Sequence, residues 1–223
     1  MAAVAWISMG AGGGSVAYDN DTQQLQIVTT NTTTFSHTTS GANRALVVYV
    51  ILSGISQSVS TITYAGTSLA LIGARDDSDT SGTRIEAWGL AAPASGANNV
   101  IVTLSASNAA WDVSAVSFTG AHQTGGSTTF NGFTGADADG VTASVSVNIT
   151  TTSSDMVTDC SASNSNNGTT SSPGTQIWQD NSGATNTQGQ YYASTGTSET
   201  LTETWDVISF GKQVVGLNIT KAP

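Results

Sequence analysis

From residue 22 onward, short apolar runs alternate with clusters of Gly, Ser, Asn and Asp at intervals of about ten residues, the spacing of strands and turns in a sandwich or barrel. No segment carries the apolar period of a long amphipathic helix. The runs Thr22–Val28, Thr32–Thr38, Ala45–Leu52, Ser60–Tyr64, Ser68–Ile72, Thr83–Leu90, Val100–Ser105 and Asp112–Thr119 read as strands. Val141–Ile149, Asp155–Ser161, Thr175–Gln179, Gln188–Ala193, Glu199–Trp205 and Gln213–Thr220 continue the series. So many short strands exceed one open sheet, and no helical segments separate them. The expected fold is therefore all-β: a two-sheet antiparallel sandwich, jelly-roll-like.

Individual runs carry finer expectations. Val141, Ala143, Val145, Val147 and Ile149 alternate with hydroxyl and amide residues, which predicts a strand with one buried and one wet face. Ala45–Leu52 is apolar throughout, so it belongs at the centre, covered on both sides. Tyr64-Ala65-Gly66-Thr67 reads as a turn, and Trp88 as a core side chain beside the charges of Arg84 and Glu86. Gly120–Gly140 and Ser161–Gly174 are rich in Gly, Ser, Thr and Asn and are expected to be exposed loops or short hairpins. Trp111-Asp112-Val113 and Trp205-Asp206-Val207 are too short to establish a repeat. One sandwich domain over residues 21–223 follows, preceded by residues 1–20, which read either as a flexible Gly-rich arm whose Trp6, Ile7, Met9 and Val16 offer contact area to a partner or as a first edge strand of the same sandwich.

Composition limits the partners. Charged residues are only 9% of the chain, so polarity comes from short hydroxyl and amide side chains that suit turns and strand faces. The net charge of −10 has the wrong sign for neutralising phosphates, which excludes nucleic acid as a direct partner. No run approaches the roughly 18 apolar residues needed to cross a bilayer. The opening stretch lacks the basic residues of a secretory signal, pointing to assembly in a host cytoplasm. Cys160 is the only cysteine, so no intrachain disulfide forms, and its strand position predicts a buried thiol.

The chemistry of catalysis is thinly represented. His37 and His122 are the only histidines and no G-x-S-x-G elbow is present, so a nucleophilic triad is not indicated. Glu199 and Glu203 share a strand face but stand about 13 Å apart, beyond the ~5–9.5 Å used by glycosidases. A carboxylate pair drawn from different strands stays open. Zinc lacks ligands; calcium has the better candidates in two acidic turns, Asp76, Asp77 and Asp79, and Asp137 and Asp139. Trp178, Tyr191 and Tyr192 lie among Gln, Asn and Thr residues; they are candidates for a glycan platform, against the preferred reading that they fill the sandwich interior, since 15 aromatics must stock the whole core.

Several stretches in order carry a family resemblance: Phe35-Ser36-His37, Asn43-Arg44-Ala45-Leu46-Val47-Val48, Ile62 through Leu69, Arg84-Ile85-Glu86-Ala87-Trp88 and Ala92-Pro93-Ala94-Ser95-Gly96. Val100–Ser105, Ala115 through Gly120 and the closing Val215-Gly216-Leu217-Asn218-Ile219 complete them. Together they resemble a widespread family of β-sandwich modules that recur in phage virion proteins and bacterial surface proteins. The resemblance implies this architecture and a virion or surface setting and carries over no catalytic residues; with the acidic charge, it leads to the expectation of a non-catalytic structural protein, foremost a capsid decoration or cement protein on the outside of a phage head. Its partner would be the major capsid protein or another virion protein, and the chain would form a homo-oligomer. The alternatives are a tail or head fibre module that recognises host glycans and a bacterial surface adhesion domain.

Overall fold

The computed structural model describes residues 14–78, 82–107, 110–138, 143–163, 169–172, 174–181, 185–205 and 211–223. Among them the chain is all-β, with one short 3-10 turn at Gly126–Thr128. Its first half runs β1 (Ala17–Ile27), β2 (Thr32–Thr39), β3 (Ala45–Ser53), β4 (Val59–Tyr64), β5 (Thr67–Ser68), β6 (Ala70–Asp76), β7 (Thr83–Ala91), β8 (Gly96–Leu104) and β9 (Trp111–Thr119). The second half runs β10 (Phe130–Ala138), β11 (Ser144–Thr150), β12 (Met156–Ser163), β13 (Thr169–Ser172), β14 (Thr175–Asp180), β15 (Asn186–Ala193), β16 (Ser198–Trp205) and β17 (Lys212–Ile219).

These strands form four antiparallel sheets where two were expected. The first half builds a five-stranded sheet, β1-β9-β3-β7-β6, and a four-stranded one, β2-β8-β4-β5. The second builds β10-β17-β12-β15-β14 and β11-β16-β13. Setting β10 on β1 and continuing in chain order, with β5 alone lacking a counterpart among the described residues, superimposes the two five-stranded orders strand for strand. The smaller sheets then match as well. The chain is a topological duplication, two sandwiches of one design.

The buried side chains show how the layers stack. Val47, Tyr49, Ile51 and Phe118 of the first five-stranded sheet share a core with Cys160, Trp178, Val215 and Leu217 of the second. The other face of the first sheet, including Leu46, Val48, Val50 and Leu52, packs on Ile62, Tyr64, Val100 and Val102. The other face of the second sheet contributes Val157 and Val214 to a smaller core with Val147, Ile149, Leu201 and Trp205. The five-stranded sheets are thus the two inner layers of four. β1 lies against β14, and β10, the counterpart of β1, lies against β6, the counterpart of β14. Such reciprocal contacts are those of an isologous, two-fold interface.

β3 confirms the reading of its sequence: alternate residues face different cores, and Ala45–Leu52 is buried from end to end. β11 confirms the alternation, with Val145, Val147 and Ile149 buried and Ser146 and Asn148 exposed. On that wet face Ser146 bonds Thr202 at 2.8 Å and Thr200 donates to Asn148 Oδ1 at 2.6 Å. Ala65 and Gly66 both take positive φ between β4 and β5, as the turn requires. The Trp88 indole donates to Glu86 Oε2 at 2.9 Å, and Glu86 Oε1 accepts from Arg84 at 2.7 Å.

Three expectations need correction. The expected loop Gly120–Gly140 contains β10, whose low hydrophobicity hid it: only Phe130 and Phe133 are large and apolar, and a bulge at Gly132, φ +65°, interrupts the alternation. The expected loop Ser161–Gly174 contains the end of β12 and all of β13. The Trp-Asp-Val likeness is not the duplication, since Trp111 opens β9 whereas Trp205 closes β16, the counterpart of β8. Ordered structure also begins before residue 20. β1 starts at Ala17, Tyr18 stacks on Tyr191, and Val16 is 2% exposed inside the chain's own central core.

Candidate functional site

The two acidic segments come together in space and are partnered by arginines. β6 runs beside β10, so Arg75 of β6 pairs with Asp137, and Asp76 accepts from Arg84 Nη1 at 2.6 Å. Asp77 is 3% exposed, with its backbone N–H donating to Thr83 O at 2.9 Å. Asp79 and Asp139 lie outside the described residues. Among those described, no group of three or more His, Cys, Asp or Glu residues has the arrangement of a metal site. The positive charge that Asp76 and Asp137 face is supplied by guanidinium groups.

The three glycan candidates do not share a platform. Trp178 is 5% exposed in the central core, its ring centroid 6.2 Å from that of Tyr49. Tyr191 packs against the same core and stacks on Tyr18 with centroids 4.5 Å apart. Tyr192 turns to the opposite face of its sheet, against the third core, where burial pushes its phenol above the ordinary range. Of the arm residues Trp6, Ile7, Met9 and Val16, only Val16 falls within the described residues, and it is buried.

What the structure offers instead is a cleft of about 400 Å³ beside the edge strand β6. Phe130, Gly89, Leu71, Ile72 and Leu90 line it, together with Gln123 and Ser127 from the segment joining the halves. Leu71 is 50% exposed there, one of four exposed large apolar side chains among the described residues and second only to Val28 in exposure. None of the residues lining the cleft ionises near neutral pH. It can hold a neutral group by shape, amides and hydroxyls, and it supplies no base for proton transfer.

Titratable groups gather inside the sandwiches. His37 is 1% exposed, bonds Thr22 Oγ1 through Nδ1 at 3.1 Å, and is pushed down to about 4 by burial. Cys160 is fully buried, and desolvation raises its thiol well above the usual value, as expected of an inert cysteine. Asp112, at the seam between the halves, accepts from Gln26 N at 2.7 Å and Thr187 Oγ1 at 3.0 Å, and burial raises it to about 6. Deepest is the pair Asp159 and Glu203, both 0% exposed. Gln190 Nε2 donates to Asp159 Oδ2 at 2.6 Å and to Glu203 Oε1 at 3.1 Å, and Gln188 Nε2 to Glu203 Oε2 at 3.2 Å. These are carboxyls from different strands, sealed from any substrate. The sequence signal for them was a polar pattern within β12, β15 and β16, where an apolar face was due.

No protein-family model, curated protein or solved structure matches this chain.

Proposed function

We propose that the chain is a non-catalytic structural module of a virion's outer surface, foremost a decoration protein that binds the outside of a capsid lattice. The observation that carries the reading is strand order. In each half, one sheet runs first-ninth-third-seventh opposite a sheet running second-eighth-fourth, counted by the strands of the first half. We read this as a jelly roll occurring twice, an architecture met in viral capsid and lectin domains. The step from architecture to role is fold-level analogy.

Three properties support it. The net charge of −10 suits a surface turned away from packaged nucleic acid. The outer faces carry hydroxyl and amide ladders such as Ser146 with Thr202, which keep a chain present in many copies soluble with few charges. Edge strands at both ends of every sheet leave backbone groups open to neighbours, in a homo-oligomer or on a capsid protein. Attachment would act as any ligand selective for the assembled state, raising the free energy needed to separate subunits.

The cleft at β6 favours a second reading, a fibre module that holds a neutral host glycan. Copy number in purified particles separates the two: hundreds of copies per particle mean decoration, a handful means fibre or tail. Absence from purified particles refutes both.

A further inference from the structure

The duplication reveals a place where the second sandwich departs from the first. β3 and β12 are counterparts, and the residues of β3 that face its outer sheet are Leu46, Val48, Val50 and Leu52. In β12 the same face carries Val157, Asp159, Ser161 and Ser163. The twin of an aliphatic core has become polar at its middle. Glu203 meets it from the outer sheet, and Gln188 and Gln190 flank it from β15. Because Glu203 belongs to β16, and Asp159 and both glutamines belong to the inner sheet, this cluster ties outer layer to inner layer.

The donors show which state is built. Gln190 Nε2 bridges the two carboxyls, 2.6 Å from Asp159 Oδ2 and 3.1 Å from Glu203 Oε1, which holds them side by side with no exposed surface. Two carboxyls held so close and out of water do not both ionise, so the pair keeps a proton. Among the described residues, no cation is one of the groups acting on either carboxyl. Lys212, fully buried on β17, stands opposite Ser163, whereas Asp159 stands opposite Gly216, a separation along the strand of about 13 Å. The other titratable groups coupled to the pair are Tyr192 and, on the opposite side of the inner sheet, Cys160 and Tyr49, and all three stay neutral as burial raises them. Amide N–H groups aimed at the carboxyl oxygens also suit a proton-sharing pair better than a metal, which would draw the amide oxygens.

We infer that a proton held between Asp159 and Glu203 latches the outer sheet β11-β16-β13 onto its inner sheet, making the second sandwich, and not the first, loosen as pH rises. Burial drives both groups the same way: Asp159 is raised to about 7, and Glu203 lies well above the carboxylate range. A raised acid binds its proton more tightly in the closed state than in the open one. Closure is therefore strongest below the ordinary carboxylate value near 4 and weakens as pH climbs through 7 and beyond. Each proton released on opening makes the opening constant rise by about tenfold per pH unit in that window. Asp112 titrates too, but it sits at the seam and acts on β1 and β15, not on β11 and β16.

Amide hydrogen exchange on the full chain, corrected for intrinsic rates and followed from pH 5 to pH 8, tests this. Peptides covering β11 and β16 should lose protection by at least about tenfold, while those covering β3 and β8 lose none and gain some between pH 5 and 6.5, as buried neutral His37 on β2 ceases to favour the open chain. Glu203→Gln, which keeps shape and neutrality, should diminish the pH dependence of protection in β11 and β16 to the part that buried Asp159 carries alone, and adding Asp159→Asn should remove that part. If Glu203→Gln does not fold, Asp159→Asn alone gives the same readout. Parallel pH profiles for the two sandwiches in the wild type, or an undiminished pH dependence in the folded variant, overturn the inference.

Discussion

Replacing Gly189 with alanine should unseat the largest aromatic of the second half's inner sheet. Gly189 lies on β15 directly opposite Trp178 of β14, and a Cβ built there falls inside the van der Waals envelope of the indole Cη2, Cζ3 and Cζ2 atoms. Backbone on one side and the Tyr49 ring on the other leave the indole little room to yield. If the ring shifts but stays inside, overpacking costs about 1–3 kcal/mol. If it is expelled, roughly 200 Å² of burial at about 25 cal/mol per Å² is lost, or about 5 kcal/mol. A loss near 3 kcal/mol corresponds to a drop in Tm of about 6–12 °C for a chain of this size. Circular dichroism melts measure it, with Gly196→Ala as control, because nothing stands within 4 Å of a Cβ at that position. Trp178→Leu should cost less in the alanine background than in the wild type, since the clash then has no partner. A Gly189→Ala protein that melts within a degree of wild type would show that the indole is not seated there, and would return Trp178 to the surface candidates for glycan binding.

Other outcomes follow from the buried groups. His37 is held neutral by burial, with a value of about 4 against the usual 6.5, so the unfolded chain takes the proton first as pH falls. The first sandwich should lose up to about 3 kcal/mol between pH 6.5 and 4, and His37→Gln should flatten that limb of a denaturation-versus-pH curve; a limb unchanged in the variant rejects the assignment. Calcium should have little effect. With Asp76 and Asp137 engaged by Arg84 and Arg75, millimolar calcium or a chelator should leave Tm unmoved within about a degree, and a saturable rise in Tm with calcium would overturn that reading.

The elements most legible in the sequence were those whose own side chains specify them. Ala45–Leu52 has eight apolar residues in a row, which only a strand covered on both faces can bury, and β3 is that strand. The hydroxyl-alternating β11 declared its wet face for the same reason. β10 was not legible, because Gly132, Gly135 and Asp137 weaken its pattern and its place is held by pairing with β17. The acid pair was half legible. Glu199 and Glu203 are too far apart on one strand, and Asp159 enters only because β12 and β16 are brought face to face.

By itself, then, the sequence determined the all-β class, the central strand, the buried thiol and the acidic balance, because strand periodicity and composition are local properties. Only the tertiary structure decided that the strands close as two like sandwiches rather than one. It also decided that Arg75 and Arg84 occupy the acidic turns, and that a proton-sharing carboxyl pair lies where the first half keeps valine. Each of these depends on which distant strands become neighbours. That choice is made by burying whole faces against one another, which no single stretch of the chain encodes.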